Sequence, residues 1–442
     1  MLQKTYDISS PDSLLEFARG LSGKTLSEVV DMSKVVENTR NKGDLGRMVE
    51  KYYYQVITDD TTHLPDFPDA GVELKTTGVL KRSDGSYKAK ERLVLTMINY
   101  MNLVSEQWET SSLMEKCSLM LLLFYLYEKD LSIFDRRFVL HPILFKFPEE
   151  DVEIIKRDWE IIRQKIKDGK AHELSEGDTF YLGACRKGSG GIKEKLRNQP
   201  NSSILAKSRA FSLKPSYVNR IIEGNTSEVG ILDVTAEITI EDATYNKFKP
   251  YLGKTVEEIS NILDFHKQGK NDKGFYRNLT MRILGGNKRK IPEFEKAGIE
   301  LKTIRVNKNW MPAEHMSFPA FKYMEIVNEE WEDSSFYEKI ERRFLFVIFK
   351  EDENNELRLV KVNYWNMPYV DREESRKVWE DTKKRVAIDA SILPKSTESR
   401  VAHVRPKAKN AKDIIPTPQG TMLGKKCFWL NRSYIKQVVA NL

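Results

Sequence analysis

Pro65-Asp-Phe-Pro-Asp-Ala-Gly-Val-Glu-Leu-Lys75 decides the reading of this 442-residue chain, because its second half returns farther on. Ala70-Gly-Val-Glu-Leu-Lys-Thr76 matches Ala297-Gly-Ile-Glu-Leu-Lys-Thr303 in six of seven positions, at an offset of 227. Working outward, Gly23-Lys24-Thr25 matches Gly253-Lys254-Thr255 at 230, and Trp108-Glu109 matches Trp331-Glu332 at 223. Trp159-Glu160 matches Trp379-Glu380 at 220, and Phe211 with Tyr217 matches Phe428 with Tyr434 at 217. Chance matches would not keep this order; a steadily falling offset is what small deletions in a second copy produce. The chain is one domain of about 200 residues written twice. The expected boundaries are 1–224 for the first copy, 225–250 for a connector and 251–442 for the second copy.

Periodicity gives the class. Ser10-Pro11 is an N-cap and first helical position for a helix running to Gly20. Leu45, Met48, Val49, Tyr52, Tyr53 and Val56 recur at helical spacing, which predicts an amphipathic helix over 44–57 with Tyr52 and Tyr53 in the core and Tyr54 at the surface. Gly71 to Leu80 reads as a strand, Ser118 to Tyr127 as a buried strand, and Asp151 to Lys167 as a helix with Ile155, Trp159, Ile162 and Ile166 on one face. The second copy repeats the order: a helix over 274–284, strands over 298–306 and 343–350, and a helix over 373–387. The class is α/β, an α+β mixed sheet flanked by helices in each of two homologous domains.

Composition narrows the compartment and the partner. A hydrophobic fraction of 40% with 10% aromatics is that of a globular protein. Cys117, Cys185 and Cys427 lie far apart, which excludes a local zinc site or a disulfide scaffold and fits a reducing compartment. The N-terminus lacks the basic-then-apolar order of a signal peptide, and the longest apolar run, Cys117 to Tyr127, is too short to span a membrane, so a cytoplasmic protein is expected. The net charge of +7 is unevenly spread: 36 basic and 38 acidic residues in 1–250 give −2, and 36 against 27 in 251–442 give +9. Residues 181–224 hold nine basic side chains against two acids, and 401–442 hold eight against one. One such segment could be a solvated surface; two, each closing a copy, favour a polyanion partner.

Side chains alternate along a strand, so Glu73 and Lys75 project together while Val72 and Leu74 face the core. Alone, such a pair is usually a cross-strand ion pair. Asp66, however, lies seven residues earlier, and a tight turn at Pro68-Asp69 would fold it back beside Glu73. Two converging carboxylates can hold Mg²⁺, a hard cation that prefers oxygen. Lys75 would then orient an attacking water and stabilise charge developing on a phosphate. Glu50, on the preceding helix, is a further candidate ligand, and Lys116 a second positive charge. No Ser/His/Asp triad or glycine-rich phosphate loop stands out; His63, near the proposed site, reads as a solvated loop residue, and Gly188–Gly191 as a flexible DNA-facing loop.

The longer string resembles the PD-(D/E)xK nucleases, and specifically the family of MutH, the mismatch-repair nicking endonuclease, together with two-copy GATC-cutting restriction endonucleases. Gly46-Arg-Met-Val-Glu50, Asp66-Phe with Gly71-Val-Glu-Leu-Lys-Thr76, Trp108-Glu-Thr-Ser111 with Lys116, Pro148-Glu-Glu-Asp151 and Asp158-Trp-Glu160 carry the likeness. Arg405-Pro-Lys407 with Asn410-Ala-Lys412 is similar to the family's DNA-contacting stretch. The resemblance implies an active site at Glu50, Asp66, Glu73, Lys75 and Lys116, with Mg²⁺ on Asp66, Glu73 and Glu50. In the second copy Glu293 replaces Asp66 and Met281 replaces Glu50, while Glu300, Lys302 and Lys339 remain. Methionine is no ligand for a hard cation and the longer Glu293 would displace it, so the second copy is expected to bind DNA without cutting.

The DNA-binding candidates are Arg186, Lys187, Lys207, Arg209, Lys214 and Tyr217 in the first copy, and Arg405, Lys407, Lys412, Lys425, Lys426 and Arg432 in the second. Phosphate contacts position a duplex and one or two basic side chains read guanine; Arg186 and Arg405 are the candidates, in an alignment open by one residue. The resemblance implies a 5′-GATC target. The expected protein is a Mg²⁺-dependent type II restriction endonuclease acting on double-stranded DNA, a monomer that associates on DNA, its second copy engaging a second site as effector. A methyl-directed nicking enzyme and a non-catalytic DNA-binding protein are the alternatives; the duplication argues against the first and the intact acidic set against the second.

Overall fold

The computed structural model describes residues 6–35, 44–56, 63–188, 196–224, 230–267, 274–285 and 290–442. In the first copy, strand Glu73–Lys81 pairs in parallel with Met120–Leu126, from Glu73 opposite Met120 to Val79 opposite Leu126. Short antiparallel strands, Tyr87–Ala89 and Ile143–Phe145, flank them. A parallel strand covered on both faces needs an unbroken apolar run, and Met120-Leu-Leu-Leu-Phe-Tyr-Leu126 supplies it. The second copy repeats the pairing with Glu300–Val306 parallel to Phe344–Glu351, and Leu357–Trp365 antiparallel at the edge.

A second sheet in each copy is antiparallel. Leu93–Met97, Arg209–Leu213 and Leu182–Arg186 form it in the first copy; Met316–Ala320, Lys426–Leu430 and Ala402–Pro406 form it in the second. Helix Glu149–Lys167 links the layers of the first copy. Its Ile155, Trp159, Ile162 and Ile166 are buried, while its Asp158 accepts the backbone N–H groups of Phe180, Tyr181 and Leu182 where the antiparallel sheet begins. Burial raises that carboxyl to about 6. Helix Tyr369–Ile388 is its counterpart.

Two expectations change. The helix over 44–57 is α only over Asp44–Met48 and continues as a π-helix over Val49–Tyr54. The wider turn shifts the helical phase by a residue. Tyr54 is therefore fully buried, donating its hydroxyl to Leu14 O at 2.9 Å, while Tyr52 is only half-buried. The stretch 225–250 is not a plain connector. It holds helix Ile240–Phe248, capped by Thr239, which lies ahead of Gly253-Lys254-Thr255 by the same spacing, to within one residue, as helix Pro11–Arg19, capped by Ser10, lies ahead of Gly23-Lys24-Thr25. The helix therefore repeats the opening element of the first copy.

The copies are not strung apart. One apolar core runs from Val79 and Phe124 of the first copy into Leu279, Leu345 and Val347 of the second. Lys296 reaches across to Asp151 at 2.8 Å with both side chains buried, and Tyr217 donates to the same carboxylate at 2.7 Å. In the second copy, Asp371 likewise accepts Tyr434 at 2.9 Å, but its cationic partner is Arg400 of its own copy. Among the described residues no helix is long and apolar enough to cross a membrane.

Candidate active sites in the two copies

Pro68 shapes the first site. The residue before a proline avoids the helical region, and Phe67 is accordingly non-helical at φ −120°, ψ 80°. A single 3₁₀ turn, Pro68–Ala70, follows and ends at Gly71 with φ 65°, a left-handed conformation that glycine adopts freely. Phe67 and Val72 then exchange backbone hydrogen bonds of 2.9 and 3.1 Å. The chain is folded back as the sequence suggests: Asp66 Oδ2 accepts Leu74 N–H at 2.9 Å, and Asp66 N–H donates to Glu73 Oε2 at 3.1 Å.

Glu73 sits at the head of the parallel strand, almost entirely buried. Lys75 Nζ contacts its Oε1 at 2.5 Å, and Lys116 Nζ, from helix Ser112–Cys117, stands 3.6 Å from the same oxygen. Ser111 caps that helix, its hydroxyl accepting Met114 N–H, which fixes where Lys116 is presented. Burial and the adjacent Glu73 raise the Asp66 carboxyl to about 7. Burial works against the charge of Lys75, but Glu73 and its neighbours outweigh it and the ammonium is held above its ordinary value. Burial pushes the neighbouring Cys117 thiol up to about 12, so it stays a neutral packing group.

Asp66, Glu73, Lys75 and Lys116 thus meet. Glu50 lies in the π-helical segment, near Gly46 and beside Thr76: a Cβ on Gly46 would stand 3.3 Å from Thr76 Oγ1 and 3.9 Å from Glu50 Oε1. Among the described residues, no three His, Cys, Asp or Glu side chains form a ready metal cluster. The Glu50 carboxyl therefore does not complete a three-ligand cluster with Asp66 and Glu73. Two hard-oxygen carboxylates, one of them kept from ionising by burial and by the other, are still a donor set that a divalent cation fits. His63 is exposed.

The second copy keeps only part of the fold-back, Ile299 N–H still donating to Phe294 O at 3.0 Å. Glu295 stands where the first copy has Pro68, so nothing interrupts the helix, and Pro292–Ala297 runs as a continuous α-helix with Pro292 at its start. Glu293 is carried on that helix to Leu232, whose N–H donates to it at 2.9 Å. Met281 is buried in the apolar core. Glu300 keeps the place of Glu73 but is ringed by cations: Arg342 at 2.9 Å, Lys339 at 3.5 Å and Lys302 at 3.7 Å. Burial acts to raise its carboxyl, yet Lys302, Arg342 and Lys339 together hold it below the ordinary value.

Several DNA-binding candidates are structural instead. Arg209 is buried and donates to Ala184 O and Leu174 O, both at 2.6 Å. Lys214 is buried against Thr179 O, and desolvation lowers its ammonium to about 8. Tyr217 is spent on Asp151. Basic residues count equally in a sequence whether or not they reach solvent, and Arg209 and Lys214 are spent on backbone carbonyls at and beside the antiparallel sheet. Arg186 and Lys207 both contact Glu332 of the second copy, at 2.5 and 2.8 Å. Lys187 is half-buried. In the second copy Arg405, Lys407 and Lys412 are exposed, with Arg405 and Lys407 over the Trp429 ring. Lys425 pairs with Asp413 at 2.5 Å, and Arg432 donates to Pro312 O at 2.7 Å.

Strand register settles the open alignment. Leu213 faces Leu182 whereas its equivalent Leu430 faces Ala402; Arg186 faces Arg209, and Arg405 faces Cys427. Arg405 therefore corresponds to the buried Cys185, and Arg186 to Pro406, so the two arginines are not equivalents. Lys187 and Lys407 are. The Gly188–Gly191 cluster falls largely in 189–195, outside the described residues. Sequence reasoning missed Arg342. The signal was present: two residues, Ser118-Leu119, between Cys117 and the buried strand become three, Glu341-Arg342-Arg343, in the second copy.

Residues 56–158 and 285–381, one stretch in each copy, match the family described as DNA mismatch repair enzyme MutH. With the doubled mixed sheet and the Asp66–Glu73–Lys75 constellation, this defines the class: a MutH-like, restriction-endonuclease-fold nuclease. The type II restriction enzyme Sau3AI of Staphylococcus aureus is 36% identical over 435 residues, covering 89% of this chain and 87% of its own. The chain belongs to that enzyme's family and is a site-specific deoxyribonuclease. The MutH proteins of Shewanella woodyi and Serratia proteamaculans are 26% and 25% identical, each aligned over 90% of its own length but only 48% and 47% of this chain. A mismatch-repair relative is thus the length of one copy, and the restriction enzyme the length of both.

Proposed function

We propose that this type II restriction endonuclease hydrolyses phosphodiester bonds at 5′-GATC sites with Mg²⁺, that the first copy does the cutting, and that the second holds another site as effector. The observation that carries the division is the contrast at one strand position. Glu73 is paired with a second carboxylate, Asp66, whereas Glu300 is surrounded by Arg342, Lys339 and Lys302.

Asp66 and Glu73 would hold the metal, with Glu50 contributing from the adjoining helix. When bound, the cation supplies Lewis-acid stabilisation of charge on the scissile phosphate. Lys75 does what its position permits: fixed by Glu73 and kept protonated, it orients the attacking water and faces the developing charge. Lys116 adds a second positive charge on the same side. Asp66 must give up its proton for the metal to be held, which ties cutting to pH near 7. In the second copy Arg405, Lys407 and Lys412 are exposed on the antiparallel sheet and its following loop, available for the backbone or base edges of a duplex.

The test uses plasmids bearing GATC in unmethylated, hemimethylated and fully methylated form, incubated with Mg²⁺. Linear product from at least one form is expected, faster from a two-site than a one-site plasmid; nicked circles alone would favour a strand-nicking repair enzyme. Ca²⁺ in place of Mg²⁺ should support binding without cutting. The reading also places the enzyme in the cytoplasm, as a monomer that associates on DNA.

A further inference from the structure

The inherited pocket of the second copy is more than a lost metal site. Glu300 Oε1 is contacted by Arg342 and Lys339, and Oε2 by Lys302. Three cations share one carboxylate there. In the first copy Glu73 faces two cations and has a second carboxylate at its side. The third cation comes from the extra residue between helix Ser335–Ile340 and strand Phe344–Glu351. Among the described residues, the only further acid on Arg342 is Glu338, 2.6 Å away on the rim, whose side chain is 59% exposed.

Access differs in the same direction. The side chains of Lys302, Lys339 and Arg342 are 32%, 25% and 33% exposed, against 18% and 13% for Lys75 and Lys116. An ammonium, a second ammonium and a planar guanidinium converging on one partly exposed carboxylate make a site for a tetrahedral oxyanion, the guanidinium offering paired N–H donors. A divalent cation is disfavoured by the same charges.

We infer that Lys302, Lys339 and Arg342 bind a DNA backbone phosphate directly, in the place where the first copy uses a metal ion, so that the second copy grips DNA without any divalent cation. Glu300 pre-orders the three cations in the free protein and competes with the phosphate for them. This rests on the reading that the second copy binds DNA.

The experiment uses the full chain carrying Asp66→Ala, so that nothing is cut, and a fluorescein-labelled duplex containing one GATC, titrated in EDTA at several salt concentrations and followed by anisotropy. Replacing Lys302, Lys339 and Arg342 together by glutamine is expected to weaken binding about tenfold or more and to flatten the salt slope by about one unit, as loss of one phosphate contact requires. Glu300→Gln is expected to do the opposite, tightening binding several-fold by removing the competitor. A parallel variant, Arg405→Ala with Lys407→Ala, separates the two claims. If it weakens binding while the triple variant keeps the parent's affinity and slope, the phosphate site is wrong and the DNA-binding role of the second copy stands. If neither weakens binding, both fall. Weaker binding by Glu300→Gln would also overturn the phosphate site.

Discussion

Glu73 and Glu300 occupy the same place at the head of the same parallel strand, and two small changes nearby separate their chemistry. A proline at 68 breaks the helix before the strand, so Asp66 is turned back onto Glu73; a glutamate at 295 lets the helix run on, so Glu293 is carried away to Leu232. One extra residue after Ile340 then brings Arg342 onto Glu300. The strand and its Glu-Leu-Lys-Thr are untouched. The same Glu-Leu-Lys-Thr string therefore has different neighbours in the two copies, and what decides them is the backbone on either side of it.

The largest expected effect is on chemistry. Lys75→Ala should lower single-turnover cleavage by about 10³-fold or more, while Lys302→Ala should lower it by less than about tenfold, measured with saturating DNA. Similar losses in both would mean that the copies are not divided as described.

Next in size is the pair that joins the copies. Lys296→Ala leaves Asp151 buried and uncompensated, and should destabilise the fold by about 3–5 kcal/mol in denaturant unfolding. The equivalent Asp371 is paired with Arg400, whose side chain is half in solvent. Arg400→Ala should therefore cost under about 1 kcal/mol. Equal costs would break the comparison.

The two pockets should also respond to pH with opposite sign. The Asp66 carboxyl titrates near 7 in the folded, metal-free protein, above the ordinary carboxylate range it has when unfolded. Between those values the folded state keeps a proton that the unfolded chain has lost, so this group makes stability fall as pH rises from about 4 to 7. Asp66→Asn should remove that deficit, raising stability at pH 8 in EDTA by on the order of 2–4 kcal/mol and having no effect at pH 3. Glu300 is held below its ordinary value, so its contribution is present above the unfolded value and lost as pH falls through the folded one. Glu300→Gln should thus cost under about 1 kcal/mol at pH 7 and nothing in acid. Thermal melts from pH 3 to 8 check both. Among the changes inside the first copy the smallest is Tyr54→Phe, expected to cost about 1 kcal/mol for the lost bond to Leu14 O.

The duplication, the class and the Asp66–Glu73–Lys75 fold-back were all legible in the sequence, because each rests on local rules: an ordered series of repeats, strand alternation and a proline-glycine turn. The π-helical turn at Val49–Tyr54 was not, since a helical period fitted to six residues cannot show where the pitch widens. Nor could composition tell the buried Arg209 and Lys214, which satisfy carbonyls, from the exposed Arg405 and Lys407. Strand register, which sets Arg405 opposite Cys427 and Arg186 opposite Arg209, is a long-range property that spacing along the chain leaves open by a residue.

All of this turns on whether every cut is made by the first copy. The direct measurement is the conversion of a supercoiled GATC plasmid by the full chain carrying Glu73→Gln, in Mg²⁺, with DNA binding confirmed separately. The plasmid is expected to stay supercoiled, with nicked and linear products at least about 10³-fold slower than with the unaltered enzyme. Nicked circles forming within about tenfold of the unaltered rate would contradict it, because only the second copy could then have made them.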